Sequence, residues 1–194
     1  MDKVKLAFGI TGSFCNHQEV IHMMERLQDR YDMTAVVSDS VRSMDTRYGS
    51  AADFLELLER ITGKGVITTI QEAEMFVMNS DIKAMVVAPM TATSLGKFTH
   101  GIYDTAVLMG AKGMLRNQKP VIFGVSTNDG LGISGMNIMS MMNAKNIYMI
   151  PLRQDDYNNK PNSLVCDWDQ VDAAIVHALV GKQVQPVLLA PIGK

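Results

Sequence analysis

Residues 84–104 read AMVVAPMTATSLGKFTHGIYD, a run of five apolar residues that ends in Pro89 and then opens into Thr91, Ala92, Thr93 and Ser94. Small and hydroxylated side chains at that kind of break can bond an anion, and they let a flat group come close to the backbone. Three other short clusters share this character. They are Thr11-Gly12-Ser13, the segment 38–47 with Ser38, Arg42 and Arg47, and Ser126-Thr127-Asn128-Asp129. Each alone could be a helix cap, because Ser, Thr, Asn and Asp also serve that purpose. The first turn, G-I-T-G-S, is not the G-x-G-x-x-G of a dinucleotide site, no acidic residue ends the second apolar run, and G-x-x-x-x-G-K-[ST] is missing. The chemistry left is that of a mononucleotide, with one phosphate on backbone N–H groups and hydroxyls and a ring against apolar strand ends. FMN fits that description.

The elements that must position these clusters are visible as alternating patterns. Val4–Ile10 is β-rich and apolar, and Val20, Met23, Met24 and Leu27 then recur at helical spacing. A second strand is predicted over 34–37, followed by a loop over 38–50. Phe54, Leu57, Leu58 and Ile61 repeat the helical face, with Gly63 and Gly65 closing it. Further strands are expected over 66–70, 84–88, 121–125 and 147–150. One or two helices fall between 91 and 117, another around 135–143 and a last one over 169–179, with Asp104 as a cap near Thr105. Continuously apolar strands separated by helices imply a parallel sheet covered on both faces. The expected fold class is therefore α/β, a doubly wound, Rossmann-like or flavodoxin-like parallel sheet of about six strands, with residues 1–194 as one domain. In such a sheet all four polar clusters lie at the carboxyl edge, where ligands bind.

Composition removes several other functions. With 194 residues, 47% hydrophobic and 20% charged, and a net charge of −2, the chain suits a soluble globular fold without a basic footprint for nucleic acid. No apolar run has the length of a membrane span, and the opening MDKVKLAFGITG reads as a strand rather than a signal peptide. Two cysteines, Cys15 and Cys166, build neither a disulfide framework nor a metal site, and the histidines lack ligand spacing. A cytoplasmic setting is the default. Cys15, in the first turn, could act as a nucleophile, although a lone Cys more often packs as a small hydrophobe.

The opening strand with TGS, the AP-x-[ST]-A-x-[ST]-x-x-K stretch and the GIYD that follows resemble the FMN-binding cysteine decarboxylase-like flavoproteins. The resemblance implies FMN on Gly12, Ser13, Ser38, Pro89, Thr91, Ala92, Thr93 and Ser94, in trimers or trimer-based dodecamers. Thr93 stands where those decarboxylases carry Asn, no His lies between His22 and His100 where their catalytic His is expected, and only Asn128 of a later Met-Asn motif remains. The segments TGSFCNHQEVI, VRSMDTRYGSA and NAKNIYMIPLRQDDYNNKPNSLVCD are similar to the family of dipicolinate synthase B subunits. That resemblance implies an oxidoreductase subunit working beside an A subunit in the mother cell of a sporulating bacterium. Its substrate would be a dicarboxylate, 4-hydroxy-tetrahydrodipicolinate, dehydrated and oxidised to dipicolinate. Two carboxylates ask for cations, and Arg47, Arg42 and Arg153 are the candidates, with Asn128 beside them. Asn128 and Cys15 are the catalytic candidates. The alternatives are a decarboxylase of a cysteinyl substrate and an FMN-carrying subunit that does not turn over. Met136, Met139, Met141 and Met142 suggest a homo-oligomer contact.

Overall fold

A computed structural model describes residues 3–191. Chain order runs β1 (Val4–Ile10), α1 (His17–Leu27), β2 (Tyr31–Val37), α2 (Asp39–Ser43), α3 (Ala51–Thr62), α4 (Ile70–Asn79) and β3 (Ala84–Met90). It continues through α5 (Ala92–Thr99), α6 (Ala106–Arg116), β4 (Val121–Thr127), α7 (Ser134–Met142), β5 (Ile147–Met149), β6 (Leu152–Arg153), β7 (Leu164–Cys166) and α8 (Val171–Leu179).

The strands form a 7-stranded sheet. Its parallel part runs β2-β1-β3-β4-β5, in registers such as Ala7↔Thr34, Phe8↔Val86, Val86↔Ile122 and Val121↔Ile147. All seven residues of β3 are buried, which is why its sequence is continuously apolar instead of alternating. The chain moves outward from β1 to β2, then returns across β1 to β3 and continues the other way. Right-handed crossovers in opposite directions put helices on both faces. α4 and α6 pack together, while α1 reaches the segment before α8 through Arg26 and Asp169, 2.8 Å apart. The reversal between β1 and β3 leaves a crevice at their carboxyl ends.

Two expectations are corrected. Residues 66–70 make one bridge, Val36↔Ile67, rather than a strand. Thr69 instead accepts from the Glu72 N–H while the Glu72 carboxylate bonds the Thr69 N–H, a capping box that starts α4 and outweighs local β propensity. Asp104 does not cap α6; the Thr105 hydroxyl does, accepting from the Leu108 N–H at 3.3 Å, and Asp104 pairs with Lys97 at 2.7 Å. The upper half of β4 carries the short antiparallel β7, with Ser126↔Val165 and Thr127↔Leu164, and β6 pairs with β7 outside it.

Candidate functional site

Thr11 joins the two loops of the crevice. Its side chain is buried; Oγ1 donates to the Pro89 carbonyl at 2.8 Å and accepts from the Thr91 N–H at 2.9 Å. The end of β1 is thereby tied to the start of α5. Thr91 in turn accepts from the Ser94 N–H at 3.2 Å and donates to Ser94 Oγ at 3.0 Å. That leaves the first N–H groups of α5, on Ala92 and Thr93, without intrahelical acceptors. Ser38, buried at the end of β2, lies 3.0 Å from Ser40 across the same opening.

Gly12, Ser38, Ser40, Thr91, Thr93 and Ser94 line a cleft of about 380 Å³ together with Asp39, Lys97, Asp104 and Thr105. Its two carboxylates have cations beside them, Arg42 at 3.5 Å from Asp39 and Lys97 at 2.7 Å from Asp104. A Cβ on Gly12 would stand 2.8 Å from Ser40 Oγ, so the absence of a side chain keeps this passage open. Helix-terminal N–H groups, a ring of hydroxyls and a bare backbone suit one phosphate. Ser13 faces the adjoining turn, accepting from Asn16 Nδ2 at 2.7 Å. Pro89 is buried at the strand end, and Ala92 begins α5.

A second cavity, of about 150 Å³, lies on the other side of α2 and has Phe14, His17, Val41, Met44, Tyr48 and Phe54 among its walls. Arg47 is exposed on the turn above it and donates to the Tyr48 hydroxyl at 2.7 Å. Arg42 is also exposed. Arg153 sits elsewhere, in a cleft of about 420 Å³ with Glu19, Asp155, Asp167 and Asp169, and its guanidinium is paired with Asp167. Asn128 is exposed in the turn after β4, next to an Asp129 carboxylate that Thr127 and Ser134 hold below its ordinary pKa. The structure thus brings Gly12, Ser38, Thr91, Thr93 and Ser94 to one cleft and scatters the three arginines over separate places.

Cys15 is exposed, not packed as a small hydrophobe, and lies 3.8 Å from Ser13 Oγ. Cys166 is buried, and desolvation pushes its thiol up to about 12. His100 Nδ1 is 2.8 Å from the Gly96 carbonyl, a bond within its own helix end. No group of metal-binding side chains occurs among the described residues, and no helix there is long and apolar enough to cross a membrane. Motif reading does not mark Ser40 or His17. Ser40 is within its reach, since it follows the second strand as closely as Ser38 does.

A doubly wound sheet with a hydroxyl-lined, helix-capped cleft at its point of reversal is the architecture of ligand-binding α/β proteins. The family model described as Flavoprotein matches residues 1–188, and the chain belongs to that family. It is 39% identical over 186 residues to the B subunit of dipicolinate synthase from Bacillus subtilis (strain 168), covering 95% of this chain and 93% of that one. The crystal structure of the dipicolinate synthase B subunit from Bacillus halodurans superposes with a TM-score of 0.88 at 42% identity, over 97% of this chain and 98% of that one. The FMN-dependent cysteine decarboxylase SpaF has the same fold, with a TM-score of 0.66 at 19% identity over 91% and 95% of the two chains.

Proposed function

We propose that this chain is the FMN-carrying B subunit of a dipicolinate synthase, an oxidoreductase subunit that acts with an A subunit on 4-hydroxy-tetrahydrodipicolinate. The observation that carries the reading is the cleft that gathers Gly12, Ser38, Thr91, Thr93 and Ser94 at the β1–β3 reversal, in a chain so similar to two B subunits. Loss of water from the substrate gives a dihydropyridine, and loss of two hydrogens then gives the aromatic product. Bound FMN would supply the acceptor for those two hydrogens. The chain's own part is to seat the phosphate on the Ala92 and Thr93 N–H groups and the hydroxyls around them, to exclude water, and to hold the substrate's carboxylates. Lys97, already turned toward Asp104, adds positive charge to the cleft.

Replacing Gly12 with Leu tests the cofactor placement. A side chain there must displace Ser40 and fill the approach to α5. The purified variant should keep wild-type far-ultraviolet circular dichroism and lose its flavin absorbance. Full flavin retention by a folded variant would overturn this use of the cleft.

A further inference from the structure

Lys97 lines the cleft, and the chain beyond it is arranged to hold its ammonium there. Thr91, Ser94 and Lys97 are spaced three residues apart, so they fall on one side of α5. The helix ends in a Schellman turn. Ile102 N–H donates to the Lys97 carbonyl at 2.9 Å and Gly101 N–H to the Phe98 carbonyl at 3.1 Å, with Gly101 at a φ of 74°. Tyr103 secures the turn, T-shaped against Phe98 with ring centroids 5.3 Å apart. The reversal brings Asp104 back alongside the helix, where its Oδ2 meets Lys97 Nζ at 2.7 Å. Charge sets Lys97 apart. Among the described residues lining the cleft it is the one cation, against the carboxylates of Asp39 and Asp104. Arg42 stands beside Asp39 but is not part of the lining.

We propose that Lys97 is the residue by which the cleft selects the phosphorylated flavin over riboflavin, with Asp104 and the phosphate dianion competing for its ammonium. This rests on the function proposed above. Backbone N–H groups and hydroxyls accept a phosphate oxygen or an alcohol with little regard for charge. A fixed positive charge is what separates a dianion from the neutral hydroxyl that riboflavin carries in its place. Lys97 follows Thr93 by one helical turn, so it is within the same cleft as the N–H groups that would seat the phosphate. The side chains of Lys97 and Asp104 are 36% and 49% exposed, and an ion pair open to water is weak. Asp104 therefore keeps the ammonium at the cleft without locking it, and a doubly charged group displaces a singly charged one. Asp104, half in water, stays hydrated when its partner turns away.

The test is titration of the flavin-free full chain with FMN and, separately, with riboflavin, followed by flavin fluorescence. Lys97→Met keeps the length of the side chain and removes its charge. It should bind FMN about tenfold more weakly or worse, the size expected from one charge-assisted bond, and riboflavin as wild type does. Added salt should weaken FMN binding by wild type more steeply than binding by Lys97→Met. Asp104→Asn removes the competitor and should bind FMN about two- to fivefold more tightly. If Lys97→Met binds FMN as tightly as wild type, loses riboflavin to the same degree, or gives a parallel salt curve, the assignment falls while the FMN reading stands. Equal or weaker FMN binding by Asp104→Asn would remove the competition. If folded wild type binds no FMN even at millimolar concentration, both readings fall together.

Discussion

Thr11 and His17 show how single side chains set up the two spaces. Thr11 makes two side-chain bonds between β1 and α5 in a site that is 1% exposed. Thr11→Val keeps the shape and the backbone bond from residue 11 to the Pro89 carbonyl, 3.3 Å long, but strands the Thr91 N–H, an effect of about 1–3 kcal/mol. Denaturant titration should show that loss together with weaker flavin binding, and Thr11→Ser should restore most of both. His17 predicts a pH effect. Its folded pKa is lowered from 6.5 to about 4 by burial, so between those values the unfolded chain binds a proton that the folded chain refuses. Stability therefore falls as pH drops through that window and is flat with respect to His17 above it. Melting temperatures at about pH 7 and about pH 5 should fall further for wild type than for His17→Phe; equal drops would contradict that shift. The cradle hydroxyls were legible because each follows a strand end in the sequence. His17 was not, since its meaning depends on Phe14 and Phe54 closing around it from two separate helical segments. Arg153 was legible as a cation, but it belongs to strand β6 and not to a loop, and its partner Asp167 enters only through the β6–β7 pairing.

At the scale of elements, β1, β3 and β4 could be read because strands buried on both faces have few polar positions. The strands β6 and β7 could not, being two and three residues long, too short to establish any period. The segment 66–70 misled because Val66, Ile67 and Ile70 carry β propensity, whereas the deciding signal was the Thr69-to-Glu72 capping box. Packing between elements yields a sharper prediction at Gly124 in β4. A Cβ there would lie 2.7 Å from Ala88 Cβ, 2.9 Å from Ile150 Cδ1 and 3.1 Å from Cys166 Sγ. Ala88 belongs to the strand that delivers Pro89 and Thr91 to the cleft, so the contact couples sheet packing to the site. Gly124→Ala should destabilise the fold by about 1–3 kcal/mol, read from the denaturant midpoint. A midpoint equal to wild type would mean that β3 and β4 shift apart freely.

For the whole molecule, the exposed apolar surface is uneven. Ile133 is 82% exposed and Met136 75%, and Leu131 and Met139 lie close by in sequence and are exposed too, whereas Met141 belongs to the core. We propose that this face meets another copy of the chain, since a cluster of large exposed side chains usually marks an interface. Light scattering at micromolar concentration should then report an oligomer, and Met136→Lys should reduce its mass; a wild-type monomer would remove the claim. The central claim, that the chain carries FMN to oxidise a dipicolinate precursor, is tested most directly by anaerobic titration of the flavin-loaded protein with 4-hydroxy-tetrahydrodipicolinate. The flavin absorbance should bleach with one dipicolinate formed per flavin reduced, with the A subunit added if this chain alone is inactive. Flavin that stays bound and oxidised in the presence of both subunits and substrate would contradict it.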